Sequence, residues 1–238
     1  MSQLKWEYHN ITTSLDVQRS QRRTLSLIVQ PTGGVVVKAP LALTDAQLLA
    51  AVHTKAGWLL KKLALTAQRQ AQHYEHLGVS GEQYLYLGRA YQLEVQVEPG
   101  LRKDEVTVVD YRLVVKVRHQ QPAVVKAVLR QWYYAQAHEE VGARVVYYQE
   151  FFSQQPTRIQ VKEQKRRWGS CTAQNALLFN WRLVMAPPAV LDYVVIHELC
   201  HLRYKNHGRE FWQAVAELLP DYQVQQTWLR DNAHNMDV

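Results

Sequence analysis

The sequence predicts an α+β protein: a β-rich N-terminal unit with one helix, then a minimal second domain with a small antiparallel sheet. Three observations carry this. Short β-branched and aromatic runs separated by turn formers dominate up to Val117. At Pro122 the apolar period changes from two to that of a helix. Beyond Ile159, alternating segments lead into two apolar helical segments. The expected division is residues 1–120 and 121–238.

Thr24 to Val29 and Val35 to Lys38 flank Pro31-Thr32-Gly33-Gly34, a group of turn formers that predicts a hairpin. Thr44 with Gln47 forms a capping-box signature, and Leu48, Val52, Leu59 and Leu63 recur on one face of a helix ending near Gln72. Two more hairpins are expected, Tyr84–Leu87 with Tyr91–Val97 around Gly88-Arg89, and Val106–Val109 with Leu113–Val117 around Asp110-Tyr111. After Pro122, Val125, Val128, Leu129 and Trp132 follow at helical spacing. Ile159 and Val161 alternate with polar residues, and Trp168–Thr172 and Leu177–Trp181 flank a polar turn around Asn175. Pro187 and Pro188 open an apolar helix through His201, and Phe211, Trp212, Val215 and Leu218 mark a last helix before Pro220. No internal repeat is visible in the residues.

Composition excludes several classes. With 47% apolar residues in a chain of 238, there is enough material for a core, which rules out disorder throughout. No apolar run approaches the roughly 20 residues of a membrane span. Met1 to Asn10 lacks the apolar centre of a secretory signal, and Cys171 and Cys200 are too few for a disulfide framework, so a cytoplasmic protein without a membrane partner is expected. A net charge of +7 favours acidic partners. Nucleic acid is compatible with that charge but has no reading motif here.

The segment His197-Glu198-Leu199-Cys200-His201 is H-E-x-x-H inside an expected helix. Positions i and i+4 share a face, so both imidazoles can reach one zinc, whereas Glu198 lies one step around, where it can act as general base on a water. With ten His in the chain, about 0.02 such matches are expected by chance. His207 is the best third ligand and Glu210 its rival. An unbroken helix would rotate His207 away by about 240°, so a break is required, and Asn206 and Gly208 both tolerate left-handed helix ends.

The resemblance to a known family extends further. Arg167-Trp168-Gly169-Ser170-Cys171, Asn180-Trp181-Arg182-Leu183, Ala186-Pro187-Pro188, Tyr193 through Leu202, Asn206-His207 and Phe211-Trp212 together resemble the YgjP-like metallopeptidase family of small zincins. The match spans Lys162 to Tyr222. Cys200 stands where the family often has alanine. The step from His201 to His207 equals that of metzincins, but Tyr204 occupies the position of their glycine. The resemblance implies one zinc per chain on His197, His201 and His207, with Glu198 as the catalytic carboxylate of a zincin-like domain.

Lys165-Arg166-Arg167-Trp168 is the second place where function is expected. Its cations and indole suit a peptide with acidic side chains or a nucleotide, with Arg182 as a further candidate substrate contact, and Arg182 and Tyr204 are the candidates for a second electrophile beside the metal. The leading expectation is a zinc metallopeptidase. A nucleoside triphosphate pyrophosphatase and a DNA-associated protease or binding module are the alternatives.

Overall fold

Two units, Met1–His73 and Tyr74–Val238, divide the computed structural model, which describes residues 2–30, 32–72, 75–164 and 166–238. The chain is α+β, with six α-helices and three small mixed sheets among the described residues.

The first unit opens with β1 (Ser2–Tyr8) and β2 (Ile11–Ser20), followed by β3 (Ser26–Val29) and β4 (Val35–Pro40). The sheet order is β1-β2-β4-β3, with antiparallel outer pairs and a parallel central pair. Alternation buries Leu15, Val17, Val35, Val37 and Ala39 while Ser14 and Lys38 face solvent. Pro31 of the expected turn lies outside the described residues, but Gly33 there takes a φ of 84°, which glycine adopts without strain. Thr44 caps the next helix as expected, accepting from Gln47 N at 3.2 Å while Gln47 Oε1 accepts from Thr44 N at 3.0 Å.

The single helix expected up to Gln72 is two, α1 (Asp45–His53) and α2 (Ala56–Gln72). The chain tightens between them: Lys55 N donates to Val52 O at 2.9 Å, and the Thr54 hydroxyl takes the Ala51 carbonyl at 2.8 Å. Leu48, Val52, Ala56 and Leu59 close the core over Trp6 and the sheet.

The second unit begins with the same topology. Strands β5 (Gln83–Tyr86), β6 (Arg89–Val97), β7 (Glu105–Val109) and β8 (Arg112–Val117) are ordered β5-β6-β8-β7, again with a parallel central pair, and a helix, α3 (Pro122–Tyr148), follows. The repeat is one of connectivity and period, which different residues can satisfy, so it leaves no trace in residue identity. Val125, Leu129, Tyr133, Ala137, Val141 and Val145, at steps of four, form the buried stripe of α3. They share one core with Leu93, Leu113, Val115 and Val117 of the sheet, so the boundary expected near residue 120 falls inside this unit.

Beyond α3 come β9 (Arg158–Lys162), β10 (Gly169–Cys171) and β11 (Ala176–Asn180), in the order β10-β11-β9. The expected hairpin is β10/β11, but β9 runs parallel to β11, so this sheet is mixed rather than antiparallel. A 3-10 turn, Trp181–Met185, leads to α4 (Pro188–Arg203), α5 (Arg209–Leu218) and α6 (Tyr222–Asn232). Helix α6 was not expected, because Gln225 and Leu229 are its buried residues and such a stripe carries little apolar signal.

The run-in to α4 is fixed from the sheet. Leu87 N and Gly88 N donate to Val184 O and Met185 O at 2.8 and 3.1 Å. A Cβ on Gly88 would lie 2.8 Å from Pro187 Cα, and the φ of Gly88 is 76°, so glycine is required twice over at this contact. Among the described residues no helix is long and apolar enough to cross a membrane.

Candidate metal centre

Helix α4 is apolar almost all round, with Val190, Leu191, Val194, Val195, Ile196, Leu199 and Cys200 buried. Such a helix is held rigidly, and it carries His197 and His201 one turn apart. The expected break follows, though not at the expected place. The helix stops at Tyr204 in an extended conformation (φ −108°, ψ 101°), and Gly208 is extended too. No left-handed residue is used at Asn206 or Gly208.

The turn brings His207 back. Its Nε2 lies 3.0 Å from His197 Nε2 and 3.1 Å from His201 Nε2. These three histidines form the group of converging metal-ligand atoms among the described residues, all within 4.8 Å, and Glu210 is not part of it. Donor atoms around a tetrahedral zinc with 2.0–2.1 Å bonds stand about 3.3–3.4 Å apart, so the triad is close to the size of such a shell.

The protonation pattern fits as well. His201 Nδ1 donates to the Tyr204 carbonyl at 2.8 Å, which leaves the lone pair on Nε2, facing inward. Burial, and then the neighbouring His201 and His207, lower the pKa of His197 to about 3. Burial lowers His201 too, against the opposing bond to Tyr204. Neutral imidazoles with converging lone pairs are the donor set that a zinc ion takes. Under them lies Phe211, fully buried, its ring centre 4.9, 4.6 and 4.7 Å from those of His197, His201 and His207. Trp212 stacks on the His207 ring at 5.6 Å.

Glu198 is 4% exposed and its Oε2 is buried without a hydrogen-bond partner among the described residues. Burial pushes its pKa up to about 8, against the positive charge of Arg167. Gly169 of β10 makes room for this carboxylate, because a Cβ there would meet Cγ and Oε1 of Glu198 at 2.6 Å. Strand β10 is a sheet edge. Asn180 N donates to Trp168 O at 2.8 Å and Thr172 N to Ala176 O at 2.9 Å, with Ser170 opposite Leu178 between them. By alternation, Gly169 and Cys171 turn their backbone N–H and C=O away from β11.

The basic loop is brought to the site in part. Arg166 and Arg167 are exposed, Trp168 is half-buried against the core, and Lys165 lies outside the described residues. Buried Asn180 braces the loop: its Nδ2 donates to Gln164 O at 2.8 Å and Arg167 O at 3.1 Å, and its Oδ1 accepts from Arg182 N at 3.2 Å. Arg182 is engaged by other partners. It pairs with Glu163 at 3.0 Å and Asp237 at 2.8 Å and lies 4.4 Å over the Trp181 ring. Tyr204 serves the triad through its backbone carbonyl. Gly169, Asn180 and Phe211 are functional neighbours whose roles sequence reasoning missed, although each stands in or beside a quoted motif segment.

No curated protein matches the chain. A family model described as the YgjP-like metallopeptidase domain matches residues 23–232, nearly the whole sequence and both structural units. A family of metal-dependent peptidases and a triad of converging imidazoles agree on one kind of chemistry, and the chain belongs to the YgjP-like metallopeptidase family.

Proposed function

We propose that the protein is a zinc-dependent, zincin-like peptidase in which His197, His201 and His207 hold one ion and Glu198 is the general base. The observation that carries this is the approach of three Nε2 atoms, at 3.0 and 3.1 Å, beside a buried carboxyl group. Zinc bound there supplies Lewis acidity, which lowers the pKa of water and polarises a carbonyl. Glu198 takes the proton of the attacking water on a carboxylate oxygen and returns it to the leaving nitrogen.

The outward-facing N–H and C=O groups of Gly169 and Cys171 support an extended peptide as substrate, added to the sheet edge by backbone hydrogen bonds. Exposed Arg166 and Arg167 favour acidic side chains on that peptide. Free Cys171 and Cys200 suit a reducing compartment such as the cytoplasm.

The same arginines give a second reading, hydrolysis of a nucleoside triphosphate. Zinc-loaded protein incubated with a denatured-protein mixture, and separately with each nucleoside triphosphate, distinguishes the two. New peptides support the peptidase. Phosphate or diphosphate without peptides transfers the site to the second reading, and no product from either overturns both.

A further inference from the structure

Nearly all of the net charge sits in the first unit. Residues 1–73 carry nine Lys and Arg against three Asp and Glu, a net +6, while residues 74–238 carry nineteen against eighteen. Part of this charge is spent on folding: Arg19 holds Pro40 O, Leu43 O and Asp45, and Lys5 pairs with Glu7. Helix α2 differs. It contains no acidic residue, and neither its Lys61 and Lys62 nor the preceding Lys55 has a carboxylate partner among the described residues.

The inner side of α2 is used by the core, with Ala56 and Leu59 buried and Leu60 and Leu63 packed beside them. On the other side Trp58 is 48% and Leu65 37% exposed, with Lys61 in solvent between them and Lys62 half-buried. Positions 58, 61, 62 and 65 are spaced i, i+3, i+4 and i+7, so they share one face, and Lys55 extends it by a turn.

We propose that this face of α2 binds single-stranded nucleic acid, with Lys55, Lys61 and Lys62 on phosphates and Trp58 stacked on a base. Cations interleaved with an exposed aromatic ring are what an unpaired strand needs, since every base has a face to stack and every linkage a charge. A lipid surface fits less well. It requires a broad free apolar face, and here the apolar side of α2 is already in the core, leaving two side chains two turns apart. The proposal is independent of the peptidase reading, because the residues belong to the other unit and the test involves no catalysis.

The test is binding of the full chain to fluorescein-labelled oligothymidylate of about 20 nucleotides, followed against salt. Three neutralised phosphates give a slope of about −2 in log K against log salt. Lys55→Gln/Lys61→Gln/Lys62→Gln should weaken binding roughly tenfold or more at low salt and flatten that slope. Trp58→Ala should weaken it roughly fivefold or more, with Trp58→Tyr restoring most of the loss. The thermal midpoint and the far-ultraviolet circular dichroism, which these positions on the outer side of α2 should not move, show that the variants are folded. The proposal is overturned by an absence of binding at about 50 mM salt, by undiminished binding in the triple variant, or by a duplex preference with Trp58→Ala silent. Capture by phosphatidylserine vesicles but not by the oligonucleotide would also overturn it, in favour of a membrane surface.

Discussion

Gly169 and Glu198 occupy one space between them: the strand residue has no side chain, and the carboxylate stands 2.6 Å from where a Cβ would be. Edge strand and buried carboxylate are therefore locked together. The φ of Gly169 is not left-handed, so its identity is a matter of room and not of backbone freedom. Gly169→Ala should displace the carboxylate by several tenths of an ångström or more. Because misplacement of about 1 Å costs on the order of a hundredfold in rate, a loss of tenfold or greater in kcat is expected, with zinc retained. Turnover of zinc-loaded Gly169→Ala equal to that of the parent would show that the carboxylate tolerates the shift.

Glu198→Gln should keep fold and metal while losing a hundredfold or more in kcat, since an amide cannot accept the proton of water. Zinc content measured alongside turnover separates this from ligand loss.

Removal of the ligands is decided by metal analysis after dialysis. His197→Ala/His201→Ala should hold no tightly bound zinc, and His207→Ala should bind it far more weakly than the parent. Glu210→Gln should be unaffected, as Glu210 stands outside the converging group. If Glu210→Gln loses zinc and His207→Ala keeps it, the ligand assignment is reversed.

Arg166→Gln/Arg167→Gln should raise KM for an acidic substrate and reduce its dependence on salt, leaving zinc content alone. The motive is the electrostatic reach of Arg167 to Glu198 and the bracing of this loop by Asn180. Identical kinetics at low and high salt would return both arginines to ordinary surface.

Acid should unfold the second unit partly through Glu82. Its buried carboxylate accepts from Leu77, Gly78 and Val79 N at 2.7, 2.8 and 3.1 Å and from the Tyr84 hydroxyl at 3.2 Å. Desolvation alone would raise its pKa, but these donors together outweigh that and lower it below 4.5. A lowered folded pKa means stabilisation that is complete above the unfolded value and lost as pH falls through the folded one. Glu82→Gln should cost about 1–3 kcal/mol at pH 7, and the difference from the parent should shrink in the acid range. Urea midpoints at both pH values check this, and a difference independent of pH would refute it.

The parts of the site legible in the sequence are those governed by local geometry. His197 and His201 lie on one face because an α-helix repeats every 3.6 residues, and Glu198 is set apart from them by the same rule. The need for a break before His207 is equally local, and the capping box at Thr44 follows from two residues three positions apart. The family was legible too, because the motif residues from Arg167 to Trp212 lie in short runs of the chain.

Tertiary structure decided the rest, because it depends on which distant segments meet. The break falls at Tyr204, where the freed carbonyl orients His201. Gly169 is needed only because a helix residue 29 positions later fills its place, and Phe211 acts as a floor only once α5 folds back under α4. Strand direction is likewise invisible to a period of two, which reads the same for β9 parallel or antiparallel to β11. Connectivity without shared residues hid the repeated four-stranded topology. The charge of the chain was countable from the start, but its concentration in one unit acquired meaning only when folding placed the unit boundary between His73 and Tyr74 and left Lys61 of α2 in the open.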